Sequence, residues 1–179
     1  IKREEIEPEP YISKNVRKDG EIIDVLVEWD YLHDESGNLK GVISVVTDIT
    51  ERKRAQEKLE QSRKRYKTVF ENTGAATILI EEDTTISLAN NEFERLTGYT
   101  RAEVENKRSW KDFVVEEDLA KMEKYHRQRR MDNKQVPNRY EFRLIDKNGN
   151  IHNMIAMVDM IPNTDESIAS FLDITRLRE

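Results

Sequence analysis

Two three-residue stretches are where this chain offers chemistry in a repeated geometry. Asp48-Ile49-Thr50 and Asp173-Ile174-Thr175 each close a run of alternating apolar residues, where a strand gives way to a helix. A carboxylate there accepts hydrogen bonds from the first N–H groups of the helix and pairs with a nearby base; a threonine hydroxyl caps without charge. The chemistry is fastening, not bond making. Arg143 or Lys147, on the strands expected beside Asp173, is the candidate basic partner of a latch tying sheet to output helix. Plain N-capping by Asp173 or Thr175 is the alternative.

The other reactive groups are sparse. His126 falls on the apolar face of a helical pattern over 116–130, with Val115, Leu119 and Met122. It is a candidate haem ligand, although a lone histidine on such a face is more often packed. His152 opens a strand and is expected at the surface or an edge. Trp110 is placed to stack on a flavin ring or to anchor the core. The chain has no cysteine, which excludes disulfides, thiolate metal sites, a cysteine nucleophile and a flavin–cysteinyl adduct. It shows no glycine-rich phosphate loop, no metal-spaced His/Asp cluster and no nucleophile–base pattern. It therefore reads as a non-enzyme, with no metal expected.

These groups need a scaffold. Of 179 residues, 36% are hydrophobic and 37% charged, so folding rests on apolar residues gathered into periodic runs. Glu21 to Leu32 alternates, with Ile23, Val25, Val27, Trp29 and Tyr31 on one face. A turn at 33–38 and a strand over 42–47 complete a hairpin. Asn90-Asn91 caps a short helix over 92–96 that Gly98 closes, and strands are expected at 77–80, 85–88, 138–145, 151–161 and 167–172. The order is strands, helices, then strands, which indicates an α+β fold with helices on one face of an antiparallel sheet. Tyr140, Phe142, Leu144, Met154, Ala156 and Val158 point inward, either filling the core or lining a cavity; Met154, Met157 and Met160 are adaptable fillers. Residues 1–10, with Pro8, Pro10 and several glutamates, read as a poorly ordered lead-in.

The two Asp-Ile-Thr stretches close copies of one unit. Gly20 and Gly149 are offset by 129 residues and Asp48 and Asp173 by 125, which predicts a turn four residues shorter in the second copy. Between the copies, residues 51–70 carry eight basic and three acidic side chains. Their Ala55, Leu59, Ser62, Tyr66 and Val69 form a heptad-like seam, suited to pairing with another helix or to packing on the sheet. No nucleic-acid binding is expected of this basic helix. No run approaches the length of a membrane span, so no membrane contact is expected.

At this point the chain resembles the PAS family of sensor modules. Leu88-Ala89-Asn90-Asn91-Glu92-Phe93-Glu94-Arg95-Leu96-Thr97-Gly98-Tyr99 is similar to that family's second strand and first helix. Lys147-Asn148-Gly149 is similar to its hairpin, and Asp173-Ile174-Thr175 to its C-terminal signalling motif. Thr50-Glu51-Arg52-Lys53-Arg54-Ala55 running into Leu59 is similar to the linker of tandem PAS domains in sensor kinases. The resemblance implies the C-terminal strands of a first PAS domain over 1–50, a helical linker over 51–66 and a complete PAS domain over 67–179. It implies a five-stranded antiparallel sheet with a pocket beneath its helices; Asn90, Trp110, Met122, His126, Tyr140, Phe142, Met154 and Ala156 are the candidate pocket residues. It further implies a cytoplasmic signalling module, supporting a homodimer and covalently linked to an output domain such as a histidine kinase or diguanylate cyclase. No cofactor is expected, but an unknown small-molecule ligand is possible. A haem- or flavin-bearing sensor is the alternative, although the haem-ligand position of relatives falls here near Met122.

Overall fold

The computed structural model describes residues 6–132 and 135–177. The chain forms two compact units, Ile1–Arg65 and Tyr66–Glu179.

The first unit is an antiparallel sheet of β1 (Tyr11–Val16), β2 (Ile22–His33) and β3 (Leu39–Asp48), in the order β1-β2-β3. Strict alternation along β2 puts Val25 and Val27 into the interior, while Glu28 and Asp30 are exposed. Gly20 takes the positive φ (+88°) that the β1–β2 turn requires. The lead-in differs from the sequence expectation over 6–10. The Ile6 N–H donates to Tyr31 Oη (3.1 Å) and Trp29 Nε1–H to the Glu9 carbonyl (3.1 Å). The aromatic end of β2 holds this segment by its backbone, a contact that composition does not reveal. Residues 1–5 lie outside the described residues. Helix α1 (Thr50–Glu71) follows β3 and divides, at Arg65, between the two units.

The second unit contains β4 (Ala76–Ile80), β5 (Ile86–Ala89), α2 (Asn91–Thr97), α3 (Arg101–Val104), a 3-10 turn (Trp110–Phe113), α4 (Glu116–Met131), β6 (Arg139–Ile145), β7 (Ile151–Met160) and β8 (Ser167–Asp173). Its sheet is antiparallel in the order β5-β4-β8-β7-β6. Phe93, Val104, Trp110, Phe113 and Met122 from the helical side share one core with Ile78, Phe142, Leu144, Met154, Ala156 and Phe171 from the sheet. This is the α+β arrangement expected. Asn90 caps α2 through its side chain, which accepts from the Phe93 N–H, and Gly98 ends α2 in the left-handed region (φ +73°).

Two details differ. The 3-10 turn at Trp110 carries no periodic signal in the sequence. The four-residue difference between the copies lies in strand length: β2 and β3 have 12 and 10 residues, β7 and β8 have 10 and 7. The second turn (161–166) is in fact one residue longer than the first (34–38). Met157 is exposed because strand alternation sends 154, 156 and 158 inward and 157 outward.

Candidate functional site

A cavity of about 40 Å³ lies between the second unit's sheet and the helical layer, with α4 along one side. Most of its wall is apolar: Ile78, Ile80, Leu144, Val158 and Phe171 from the strands, Phe93, Phe113 and Met122 from the helical side. Elements fix these positions by simple rules. On β8, alternate residues Ser167, Ala169 and Phe171 face inward and line the cavity. On α4, His126 lies four residues after Met122, and Arg129 and Arg130 lie three and four after His126, so they share a face. Arg143 on β6 pins the start of that helix: its N–H and Nε donate to Asp118 Oδ2 (2.8 and 3.2 Å). Burial pushes the Asp118 carboxyl up, but hydrogen bonds from Arg143 outweigh it and hold the carboxyl below its usual range.

One part of the wall is polar and cationic. Arg129 is 2% exposed, and its Nη2 donates to the Pro137 carbonyl (2.7 Å). Burial lowers its pKa, opposed by the nearby Tyr140 and Asp159. Tyr140 lines the same wall, with its phenol pushed up to about 12, chiefly by burial. Arg130 Nη2 donates to the Glu81 carbonyl (3.0 Å) and Nη1 approaches His126 Nδ1 (3.1 Å). His126 Nε2 lies 2.9 Å from the Glu82 carbonyl. A carbonyl only accepts and a guanidinium only donates, so the imidazole carries its proton on Nε2 and is neutral. Burial, with the neighbouring cations, lowers its pKa in keeping with that state. Two buried donors, Trp110 Nε1–H and Arg130 Nε–H, find no acceptor among the described residues. Each such orphan costs about 1–3 kcal/mol unless something accepts from it.

Of the eight pocket residues expected from sequence, Trp110, Met122, His126, Tyr140 and Phe142 line this cavity; Asn90, Met154 and Ala156 do not. Asn90 is wholly committed to structure. Its Oδ1 accepts from the Thr77 and Phe93 N–H groups (2.9 and 3.0 Å), and its Nδ2 donates to the Phe70 and Ala75 carbonyls (3.1 and 2.9 Å). Met154 and Ala156 are core filling, 1% and 0% exposed. Sequence reading missed Arg129 and Arg130. The signal was present, since both continue the Met122–His126 face, but charge disguised them as solvated residues.

The Asp-Ile-Thr ends are built alike. In the first unit the Thr50 N–H donates to Asp48 Oδ1 (2.9 Å), the Asp24 N–H to Thr50 Oγ1 (3.0 Å) and the Ile49 N–H to the Asp24 carbonyl (2.9 Å). In the second, the Thr175 N–H donates to Asp173 Oδ1 (2.8 Å), the Asn153 N–H to Thr175 Oγ1 (2.9 Å) and the Ile174 N–H to the Asn153 carbonyl (2.8 Å). The side chain that meets Asp173 is neither Arg143 nor Lys147. Arg143 is taken by Asp118 and Lys147 by Glu103 (2.7 Å). His152 stands there instead, with Nδ1 3.2 Å from Asp173 Oδ2 and Nε2 3.4 Å from Asp146 Oδ2. Register explains the correction: Met154 pairs with Asp173 across β7 and β8, and His152, two residues before it on the same strand face, lies diagonal to Asp173. Asp48 is met by Arg17.

Comparison with known proteins accords with this geometry. Residues 86–173 match a family model described as PAS fold, and residues 2–51 match one described as PAS domain. The chain belongs to the PAS domain family. Among solved structures, the PAS domain of an HTR-like protein from Haloarcula marismortui is 23% identical, with TM-score 0.54 over 68% of this chain and 99% of that one. A PAS domain from Colwellia psychrerythraea is 18% identical, with TM-score 0.55 over 63% and 97%. An RNA-binding light-oxygen-voltage receptor is 13% identical, with TM-score 0.51 over 96% and 79%. A search of curated proteins finds no match.

Within this PAS fold the haem position inferred from sequence, Met122, is a thioether 6% exposed in the cavity wall, and both His126 nitrogens are engaged. Among the described residues no cluster of three His, Asp or Glu side chains is disposed to hold a metal, and no helix is long and apolar enough to cross a membrane. The α1 seam is exposed: Leu59, Tyr66 and Val69 keep 54%, 50% and 60% of their surface, and Ala55 and Ser62 are exposed too.

Proposed function

We propose that the second unit is a receiver whose cavity is coupled to its Asp-Ile-Thr end through one strand. The observation that carries this is the course of β8. Ser167, Ala169 and Phe171 form cavity wall, and the same strand runs directly into Asp173, Ile174 and Thr175. A strand held by a ladder on both sides moves as a piece, so a ligand that displaces the wall strains the latch two residues on. A latch with few bonds is a bistable element of the kind that converts a small shift into a change of output.

In this reading the chain is the sensory part of a multidomain cytoplasmic signalling protein, with a histidine kinase or diguanylate cyclase as the attached output and no catalysis of its own. The exposed seam Ala55, Leu59, Ser62, Tyr66 and Val69 supports pairing with a second copy through α1. Its short length and small residues make that pairing weak. Sedimentation tests it: the wild-type chain should associate with rising concentration and Leu59→Asp should not. The reading as a haem or flavin sensor finds less support, because cofactor-sized sites occupy roughly 300 Å³ or more and His126 has no free nitrogen.

Filling the cavity tests the coupling. Ala169→Val adds bulk at the wall without touching the latch. Amide exchange at Asn153, Ile174 and Thr175 should change at least tenfold, while Asp24, Ile49 and Thr50 stay as they were. Unchanged exchange in the second latch would sink the coupling.

A further inference from the structure

The geometry points to the ligand class: we propose that the cavity takes a small carboxylate, of formate to propionate size, with its oxygens on the Trp110 and Arg130 donors. The proposal rests on the reading of the second unit as a receiver and specifies what it receives.

Four observations carry it. First, the wall is short of acceptors. Trp110 Nε1–H and Arg130 Nε–H are both fully buried and find no acceptor among the described residues. Trp110 as a whole is only 5% exposed, and both residues line the cavity. An indole N–H is a donor and nothing else, so rotation cannot relieve it. Second, the wall is short of negative charge. It holds Arg129 and Arg130 and no aspartate or glutamate. Asp159 offsets Arg129, and Glu82, Asp165 and Glu81 offset Arg130, all from outside the lining. Third, His126 cannot supply the missing acceptor, because Nδ1 already receives from Arg130 and Nε2 gives to Glu82. Fourth, the cavity of about 40 Å³ has room for about three water-sized groups, so the ligand has few heavy atoms. A carboxylate brings two acceptor oxygens and one negative charge on a planar group that suits guanidinium N–H donors. The remaining wall of Ile78, Phe113, Leu144 and Phe171 suits a methyl or ethyl tail.

The chain supplies its own probe. It has two tryptophans, one in each unit, and among the described residues only Trp29 Nε1–H has an acceptor, the Glu9 carbonyl. Nitrogen-15 spectra of the whole chain therefore show one indole N–H on each side of the comparison. Sodium acetate should move the Trp110 indole signal saturably, half-complete at about 0.1–10 mM, within the ceiling for a four-atom ligand, and leave Trp29 in place. Acetamide, the neutral isostere, should bind at least tenfold more weakly, and sodium chloride at equal ionic strength should leave the signal unmoved. Arg130→Met should weaken acetate at least tenfold while the Trp29 indole and sheet amides keep their positions. Acetamide binding as tightly as acetate overturns the carboxylate and leaves a small-molecule cavity standing. A Trp110 indole that responds to none of formate, acetate, propionate and acetamide overturns both the carboxylate and the cavity as a ligand site. The Ala169→Val exchange experiment judges the coupling separately.

Discussion

The two Asp-Ile-Thr ends share one hydrogen-bond lattice and differ in the base that meets the aspartate. The three backbone and hydroxyl bonds agree within 0.1 Å between Asp48-Ile49-Thr50 and Asp173-Ile174-Thr175. The side chains around them differ. Arg17 stands three residues before Gly20 and reaches Asp48 directly. At the corresponding place before Gly149 the second unit has a carboxylate, Asp146, which would repel Asp173. Three residues after each glycine the first unit has Ile23 and the second has His152, whose ring stands between the two carboxylates. The lesson is that backbone and threonine geometry define the latch, and that the charge partner is an interchangeable accessory.

The comparison can be strained in order of expected effect, with single-tryptophan variants (Trp29→Phe or Trp110→Phe) reporting one unit at a time during denaturation. The largest loss is expected for Asn90→Ala, which removes a fully buried hub and orphans the Thr77 N–H. The second unit should lose at least about 3 kcal/mol while the Trp29 transition stays put; equal losses in both would mean the units do not unfold separately. Next come the latch hydroxyls. Thr50 is 6% exposed and Thr175 only half-buried, so Thr50→Val should cost about 1–3 kcal/mol and Thr175→Val less. The reverse order would show that the lattices are not equivalent.

Acid should separate the units by a smaller margin. The His126 pKa is lowered by burial, so its contribution is fully present above the ordinary imidazole value and is lost as pH falls through the lowered one. The Trp110 transition should weaken first on acidification, below about pH 6.5, with the Trp29 transition following only in the carboxylate range. There both latches fail together. Asp48 is held low by Thr50 and Arg17. Asp146 is driven up by burial but held at about 2 by hydrogen bonds from Asn150, His152 and Asn148. The stability each carboxylate adds is complete above its ordinary value and disappears as pH falls through the lowered one. Smallest of all should be the shifts in denaturation midpoint from Arg17→Ala and His152→Ala at neutral pH, because both contacts with the aspartates are partly exposed.

Much of this was legible in the sequence, for identifiable reasons. Period-2 alternation exposed β2, β6 and β7, and side-chain capping by Asn90 with Gly98 bracketed α2 to within a residue. The repeated Asp-Ile-Thr located both hydrogen-bonded strand ends. What alternation and capping cannot carry is which charged side chain folds inward. Arg129 sits two residues from a polar helix end yet is almost wholly buried, and Arg143 is drawn away to α4 by Asp118. Those outcomes depend on contacts 8 to 25 residues apart, set by packing and not by local pattern. His152 was overlooked as a partner because pairing across β7 and β8 fixes its neighbour only once the register is known.

The most direct test of the shared latch is hydrogen exchange of the Asp24 and Asn153 amides, which donate to Thr50 and Thr175. It should be measured in the wild-type chain and in Arg17→Ala and His152→Ala. If backbone and hydroxyl define both latches, both amides stay protected in all three proteins, within about threefold. Loss of protection at either amide on removal of its unit's basic side chain would show that this side chain, and not the threonine lattice, holds the strand end, and would contradict the account.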